Sequence, residues 1–312
     1  MEIYRSIAEI QPVRDTLLTI GSFDGLHRGH QEVVKKVVTY AQARRAQSVV
    51  ITFNPHPRHV LNPRAPHLPL LLSVAKKLEL LEQLGVDIAV VIPFTEEFSR
   101  MTAAAFLDQV VVAKFQPHSL IIGYDHHFGY QRGGSPDFVR EYLRSSAVEV
   151  EIIQPFSDED IIISSTHIRE LIQAGYVRRA SFELGWVYGF RATVVPGAGR
   201  GRKLHFPTAN FVPVEKDQLL PGQGVYFTRG RLNSKNIYGM CNLGTRPTFD
   251  EDDFVMEVHF FNEIDTELYG RQITIEFLER IRDEKKFDSS DKLIEQLEED
   301  RQRCMLLSSK YK

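Results

Sequence analysis

Residues 19–30, TIGSFDGLHRGH, constrain the fold of this chain more than any other stretch. An apolar run ends at Ile20, and apolar side chains at helical spacing follow over residues 30–45. This order predicts a strand, a tight loop with glycines and a helix. Backbone N–H groups at a helix N-terminus favour anions, and two imidazoles there add hydrogen-bond donors for a polyphosphate. We therefore predict a phosphate site in which His27 and His30 stabilise charge in a transition state.

The string GxFDGxHxGH resembles the nucleotide-binding signature of the HxGH nucleotidylyltransferases, and its F-D-G-x-H form is similar to bacterial FAD synthetases. A looser version occurs in class I aminoacyl-tRNA synthetases, so the motif alone does not separate these enzymes. The resemblance implies that ATP is bound by Gly21, Phe23, Asp24, Gly25, His27 and His30.

Size and composition favour two globular domains. The chain has 312 residues, which is long for one core, and 43% of them are hydrophobic. A net charge of −3 gives no basic field that would gather nucleic acid. The chain has no apolar run of membrane-spanning length and no cationic leader, and its two cysteines have no metal-binding spacing. We expect a cytoplasmic protein without nucleic-acid or membrane partners, monomeric or weakly homo-oligomeric.

The first half of the chain alternates between strand and helix patterns. Helical patterns begin at Ser73, Thr102 and Ser135. β-Branched runs lie at residues 48–53, 87–94, 119–123 and 148–153. The alternation predicts a Rossmann-like α/β domain with a parallel sheet. Ligands of such sheets bind beyond the carboxyl ends of the strands, so we expect the loops with His27, His56 and Asp125 to converge there.

Two loops resemble the flavin-bordering segments of FAD synthetases. One begins T-F-x-P-H-P at Thr52, and its prolines predict a segment without regular structure up to Pro69. The other, IIGYDHHFGYQRGG, is similar to the pattern G-x-D-F-x-F-G-x-x-R-x-G, with His126 in place of phenylalanine and Ser135 in place of an acidic residue. The resemblance implies flavin contacts from Asn54, Pro55, His56, Asp125 and Phe128.

A second signature, ISSTHIR, follows at residues 163–169. Capping a helix requires one side-chain hydroxyl, whereas this helix start has three hydroxyls and an arginine. The string resembles the I-S-S-T-x-I-R segment of FAD synthetases, which closes on the triphosphate, whereas the lysine-rich loop of class I synthetases is absent. The resemblance implies ATP contacts from Ser164, Ser165, Thr166 and Arg169, with Arg169 catalytic as a counter-charge for pyrophosphate.

The pattern changes at residues 184–186. Six short β-rich segments bounded by Gly, Pro and Asn follow, and the last helical pattern covers about residues 290–306. They predict a closed six-stranded antiparallel β-barrel with a terminal helix. We therefore divide the chain into an α/β domain, residues 1–184, and a barrel domain, residues 185–312.

The barrel domain contains PGAGRGRKLHFPTAN at residues 196–210. Thr208 and Asn210 carry short oxygen-bearing side chains that suit Mg²⁺ and phosphate oxygens. The string resembles the riboflavin kinase signature G-x-x-L-G-F-P-T-A-N, with His205 where glycine is usual. The resemblance implies ATP binding by Gly199, Gly201, Arg202, Lys203, Pro207, Thr208 and Asn210, with Mg²⁺ on Thr208 and Asn210.

Glu257 is the carboxylate of the segment MEVH, which resembles the catalytic strand of riboflavin kinases. Its position in an apolar strand lets it face the barrel lumen, where a carboxylate can take a proton from an attacking hydroxyl. The resemblance implies a catalytic role for Glu257 and flavin contacts from Glu257 and Arg246, the latter in NLGTRPTF.

The motifs occur in order over essentially the whole chain, which resembles the bifunctional riboflavin kinase/FAD synthetases of bacteria. The resemblance implies phosphorylation of riboflavin to FMN by ATP and Mg²⁺ in the barrel. The α/β domain would then join FMN to the AMP part of a second ATP, giving FAD and pyrophosphate. Two alternatives stay open: another HxGH nucleotidylyltransferase with an accessory barrel, and a non-catalytic flavin-binding protein.

Overall fold

The computed structural model of the chain describes residues 1–64, 67–158, 161–197, 205–232, 235–247, 252–262 and 268–311. The chain divides into two compact units, Met1–Ser165 and Thr166–Lys312. Each unit has its own hydrophobic core. No helix in the described ranges is long and apolar enough to span a membrane.

The first unit, which we call the sheet unit, is built on six parallel strands. They are β1 (Glu2–Tyr4), β2 (Thr16–Ile20), β3 (Gln47–Asn54), β4 (Ile88–Pro93), β5 (Pro117–Gly123) and β6 (Glu149–Ile153). They lie in the order β1-β4-β3-β2-β5-β6, so the strand order reverses at β2. The sequence pattern missed β1, since a mostly exposed strand of three residues leaves no periodic signal. A two-stranded hairpin, β7 (Ser157–Asp158) and β8 (Ile161–Ile162), follows the sheet.

Side-chain caps fix the helix starts of the sheet unit. The helices are α1 (Arg28–Arg44), α2 (Pro57–Leu61), α3 (Val74–Gln83), α4 (Glu96–Ser99), α5 (Ala103–Phe106), α6 (Ala113–Phe115) and α7 (Pro136–Tyr142), with a π-helical turn at Leu107–Val112. Ser73, Thr102 and Ser135 each accept a hydrogen bond from a backbone N–H three residues later, which confirms the predicted helix starts. Helix α2 corrects the expected irregular segment: Pro57 lies in its first turn, where a missing N–H loses no hydrogen bond.

The second unit, the barrel unit, begins with α8 (Ser165–Gln173), whose first residue precedes the division, and α9 (Val177–Leu184). Six antiparallel strands follow: β9 (Gly189–Val195), β10 (Ala209–Pro213), β11 (Gly224–Leu232), β12 (Lys235–Pro247), β13 (Asp252–Phe260) and β14 (Gln272–Arg282). They close into a barrel in the order β10-β13-β12-β11-β14-β9, and α10 (Ser290–Ser308) ends the unit. The predicted fold class is confirmed.

The strands of the barrel have an apolar interior and a second face that packs against α10. Tyr226, Cys241 and Val258 lie opposite one another in neighbouring strands and are fully buried. Phe227 and Met240 point to the other side and pack with residues of α10; we call this side the outer face.

An ion pair between a half-buried arginine and a buried aspartate fixes α10. The guanidinium of Arg282 donates to both oxygens of Asp300 from Nε, and its Nη2 lies 2.8 Å from Asp300 Oδ2.

Candidate active sites

The HxGH loop, residues 21–30, makes a tight turn between β2 and α1. Gly25 has a φ of 81°, and the non-glycine residues Phe23 and Leu26 also have positive φ values of 46° and 36°. Such left-handed backbone costs a non-glycine residue about 1–2 kcal/mol, so tertiary contacts must hold the turn. A Cβ at Gly21 would lie 2.9 Å from the Phe23 ring, which therefore requires glycine there.

The two histidines of this loop are stacked. Their ring centroids are 3.7 Å apart at an interplanar angle of 20°. His27 Nδ1 accepts a hydrogen bond from the His30 backbone N–H (3.4 Å), so a neutral His27 carries its proton on Nε2. Gly29 permits this packing, because a Cβ there would lie 3.3 Å from His27 Nδ1.

Burial keeps both imidazoles neutral. It lowers the pKa of His27 to about 4. Burial, reinforced by the charges of His27 and Lys77, lowers the pKa of His30 well below its usual range. Neutral imidazoles at pH 7 can donate hydrogen bonds to phosphate oxygens, as the predicted role requires.

Asp24 is 4% exposed and ties the HxGH loop to two other segments. Its Oδ1 accepts a hydrogen bond from the Leu71 N–H (3.1 Å), and its backbone oxygen accepts one from the Ser165 hydroxyl (2.8 Å). The sheet unit thus brings together Gly21, Phe23, Asp24, Gly25, His27, His30 and Ser165 of the predicted ATP-binding residues. Ser164 directly precedes α8.

Thr166 and Arg169 fall within the barrel unit. Both lie on α8, where Thr166 is exposed and Arg169 is 8% exposed. Their contacts with ATP stay a prediction.

The predicted flavin residues lie at the end of β3 or in the loops after β3 and β5, the two neighbours of β2. Asn54 and Pro55 are exposed and joined by a cis peptide, and Asp125 is exposed. His56 Nδ1 accepts a hydrogen bond from the Arg58 N–H at the start of α2 (3.2 Å). Since neighbouring parallel strands end at the same edge, these loops and the HxGH loop share one edge of the sheet.

The side chains of Phe128 and His126 pack against neighbouring rings, unlike the side chains of a solvent-exposed loop. Phe128 is 9% exposed and lies in the core, with its ring centroid 5.5 Å from that of Phe106. The His126 ring lies 5.5 Å from Phe128, and burial lowers the pKa of His126 to about 4. Its Nε2 is buried and has no hydrogen-bond partner in the part of the chain that the structure describes. The flavin contact of Phe128 stays a prediction.

Three polar side chains form a row across the barrel unit. Asn210 of β10, Glu257 of β13 and Asn242 of β12 lie directly opposite one another in adjacent strands. Opposite residues in antiparallel strands point to the same side, so the three share one face. Asn210 is buried, whereas Glu257 and Asn242 are half-buried. We call this set the Asn210–Glu257–Asn242 row.

The row lies on the outer face, which corrects the expectation that Glu257 faces the lumen. Asn242 is two residues beyond Met240, so both point to the side of α10. The neighbours of Glu257 along β13, Met256 and Val258, are buried on the opposite side. On that side Tyr226, Cys241 and Val258 are fully buried, and a carboxylate that must reach substrate lies on the other face.

The P-T-A-N segment is anchored to β13. His259 Nδ1–H donates to the Pro207 carbonyl oxygen (2.8 Å), and burial lowers the pKa of His259. Phe206 is buried next to the same ring, with centroids 5.1 Å apart. His205 has a φ of 62°, a conformation that the glycine usual at this position adopts without strain.

The donor set of this segment fits Mg²⁺. Asn210 lies opposite Glu257 on the same face, Thr208 directly precedes β10, and both side chains offer neutral oxygens. Gly197 lets the backbone approach, because a Cβ there would overlap the Asn210 carboxamide. Predicted site residues Gly199, Gly201, Arg202 and Lys203, and the Arg246 side chain, lie outside the described residues.

Three residues near these sites were missed by sequence reasoning: Lys77, Asn242 and His259. Asn242 and His259 lie within the quoted motifs, and a polar residue in an apolar strand was the available signal. Lys77 had no signal, because a lysine on an amphipathic helix is usually exposed.

Taken together, the chain has one nucleotidyltransferase-type site on a parallel sheet and one phosphotransferase-type site on a barrel. The family model described as FAD synthetase matches residues 9–167, and that described as riboflavin kinase matches residues 184–307. The chain belongs to the family of bifunctional riboflavin kinase/FMN adenylyltransferases.

Relatives and a solved structure extend over nearly the whole chain. A bifunctional riboflavin kinase/FMN adenylyltransferase of Listeria monocytogenes is 35% identical over 92% of this chain and 90% of its own. The enzyme of the same name from Escherichia coli K12 is 31% identical over 96% of each chain. A crystal structure named as a macrolide-efflux protein from Streptococcus pneumoniae has a TM-score of 0.87 and 32% identity, covering 96% of this chain and 97% of that one.

Proposed function

We propose that this chain makes FAD from riboflavin in two steps, each of which consumes one ATP. The barrel unit phosphorylates riboflavin to FMN, and the sheet unit joins FMN to the AMP part of a second ATP with release of pyrophosphate. The observation that carries this proposal is that each unit has its own cluster of polar side chains suited to phosphate chemistry. The sheet unit has the stacked neutral histidines, and the barrel unit has the Asn210–Glu257–Asn242 row.

In the kinase step, Glu257 accepts the proton of the terminal ribityl hydroxyl as that oxygen attacks the γ-phosphorus of ATP, and ADP leaves. Thr208 and Asn210 would hold Mg²⁺, which when bound neutralises charge on the phosphate oxygens. The position of Glu257 directly opposite Asn210 supports this assignment, because it places the base beside the phosphate-binding strand. The remaining kinase residues, Gly199, Gly201, Arg202, Lys203 and Pro207 for ATP and Arg246 for the flavin, are proposed from the motif.

In the adenylylation step, an FMN phosphate oxygen attacks the α-phosphorus of ATP, and pyrophosphate leaves. His27 and His30 donate hydrogen bonds to oxygens on which negative charge grows. Arg169 is proposed from its motif as the counter-charge for pyrophosphate. Neither step needs a covalent enzyme intermediate, so positioning and charge stabilisation suffice.

We propose domain limits of 1–184 and 185–312. The riboflavin kinase family model begins at residue 184, which supports this limit. Helix α9 precedes the limit but packs against β14 and groups with the barrel unit. A cytoplasmic location is proposed as well, supported by the free thiols of Cys241 and Cys304. We further propose a monomer or weak homo-oligomer without nucleic-acid or membrane partners.

Chromatography of riboflavin incubated with the protein, ATP and Mg²⁺ tests the function, since it resolves FMN from FAD. Both products are expected. Adenylylation of another phosphate substrate in place of FMN would favour a different HxGH enzyme, and flavin binding without ATP consumption would favour a binding protein.

A further inference from the structure

Lys77 of α3 is a buried charged side chain to which neither motif assigns a role. It is 5% exposed. Burial lowers the pKa of Lys77 to about 8, and the charge of Asp24 opposes that shift, so the ammonium is protonated at pH 7. A buried ammonium is costly unless its N–H groups find acceptors.

The acceptors of Lys77 lie at the base of the HxGH loop. Its Nζ donates to the Ser22 carbonyl oxygen at 2.6 Å and to Thr52 Oγ1 at 3.1 Å. The Thr52 hydroxyl in turn donates to the same Ser22 oxygen at 3.2 Å. Two donors from different elements, α3 and β3, therefore fix the orientation of one carbonyl group.

That carbonyl belongs to the peptide bond that leads into the left-handed Phe23. A non-glycine residue keeps a positive φ only where neighbouring groups hold its backbone in place. Lys77 and Thr52 hold the peptide bond directly before Phe23 through their hydrogen bonds to the Ser22 oxygen. The Phe23 ring contacts His30 edge-on, with centroids 5.4 Å apart, and His30 stacks on His27. A short chain of contacts thus joins the ammonium to both histidines.

We propose that Lys77 is a positioning residue for adenylyl transfer, which holds the peptide after Ser22 so that the HxGH histidines keep a fixed orientation. This inference rests on the proposed adenylyltransferase activity of the sheet unit. Misplacing a catalytic group by about 1 Å can cost about 10²-fold in rate. We therefore expect loss of Lys77 to lower kcat.

The test compares Lys77→Met with Lys76→Met in the full-length protein. Lys76 is its neighbour on α3 and pairs with Glu79 near the surface. We measure kcat and KM of FAD formation from FMN, FMN formation from riboflavin, and the thermal unfolding midpoint. Lys77→Met should lower kcat of FAD formation by about 10–100-fold with the KM for ATP within about threefold. FMN formation, and all parameters of Lys76→Met, should stay near wild type.

Folded Lys77→Met protein with kcat of FAD formation within twofold of wild type would overturn the proposal. If Lys77→Met does not fold, Thr52→Val provides the test, because it removes the second donor to the Ser22 carbonyl oxygen. A several-fold fall in kcat of FAD formation would support the inference. An unchanged kcat would overturn it. Wild-type protein that forms no FAD would instead refute the proposed function itself.

Discussion

At the scale of single residues, the HxGH histidines act through their protonation state. Both are neutral at pH 7 because burial lowers their pKa values, and the hydrogen bond from His30 N–H to His27 Nδ1 leaves the Nε2 proton of His27 for the substrate. Their contribution should therefore appear in the transition state rather than in substrate affinity.

His30→Ala should lower FAD formation at saturating ATP by about 10²–10³-fold, which is the usual effect of losing one donor to developing charge. FMN formation by the same protein serves as the control and should not change. Equal loss of both activities would indicate misfolding, and a change confined to ATP affinity would contradict the role.

Glu257→Gln tests the base of the kinase step. Glutamine keeps the size and hydrogen bonding of the side chain but cannot take the ribityl proton. We expect phosphorylation of riboflavin to fall by about 10²–10⁴-fold while FMN adenylylation persists. Assays of both steps on this one variant test the role of Glu257. Near-normal FMN production would refute its assignment as the base.

At the scale of elements, helix starts and site loops could be predicted, because their signals are local. The caps Ser73, Thr102 and Ser135 act on an N–H three residues away, and loops that follow parallel strands must share one edge. Lys77 could not be predicted, because its partners lie 25 and 55 residues away in sequence. The two-residue period of β13 predicts that Glu257 and Val258 point to opposite faces of the strand. Only the packing of α10 shows which of these faces is the outer face of the barrel.

The buried histidines of the sheet unit should make its folded state less stable at acidic pH. In the unfolded chain His27 and His126 have pKa values near 6.5, whereas in the fold burial lowers both to about 4. Between these values the unfolded state binds more protons, so stability falls as the pH falls from 6.5 towards 4. The slope is about 1.4 kcal/mol per pH unit for each such histidine.

Urea unfolding of the sheet unit followed by circular dichroism from pH 7.5 to 4.5 checks this expectation. His126→Phe, which restores the phenylalanine usual at this position, should have a shallower loss of stability over the same range. Identical slopes for the variant and the wild type would contradict it.

At the scale of the whole molecule, each activity should reside in its own part of the chain. A fragment of residues 185–312 should form FMN but no FAD, because it retains the barrel, α10 and the Asn210–Glu257–Asn242 row. A fragment of residues 166–312, which adds the rest of α8 and α9, should unfold at a higher temperature, since α9 packs on β14. Soluble, folded fragments without kinase activity would contradict the independence of this unit.

The most direct test of the central claim is the nucleotide balance of the complete reaction. Riboflavin, ATP and Mg²⁺ are incubated with the full-length protein, and FMN, FAD, ADP and pyrophosphate are quantified over time. The two proposed steps predict that FMN appears before FAD, and that each FAD formed is matched by one ADP and one pyrophosphate. FAD without a matching amount of ADP, or FMN that accumulates without any pyrophosphate, would contradict the account.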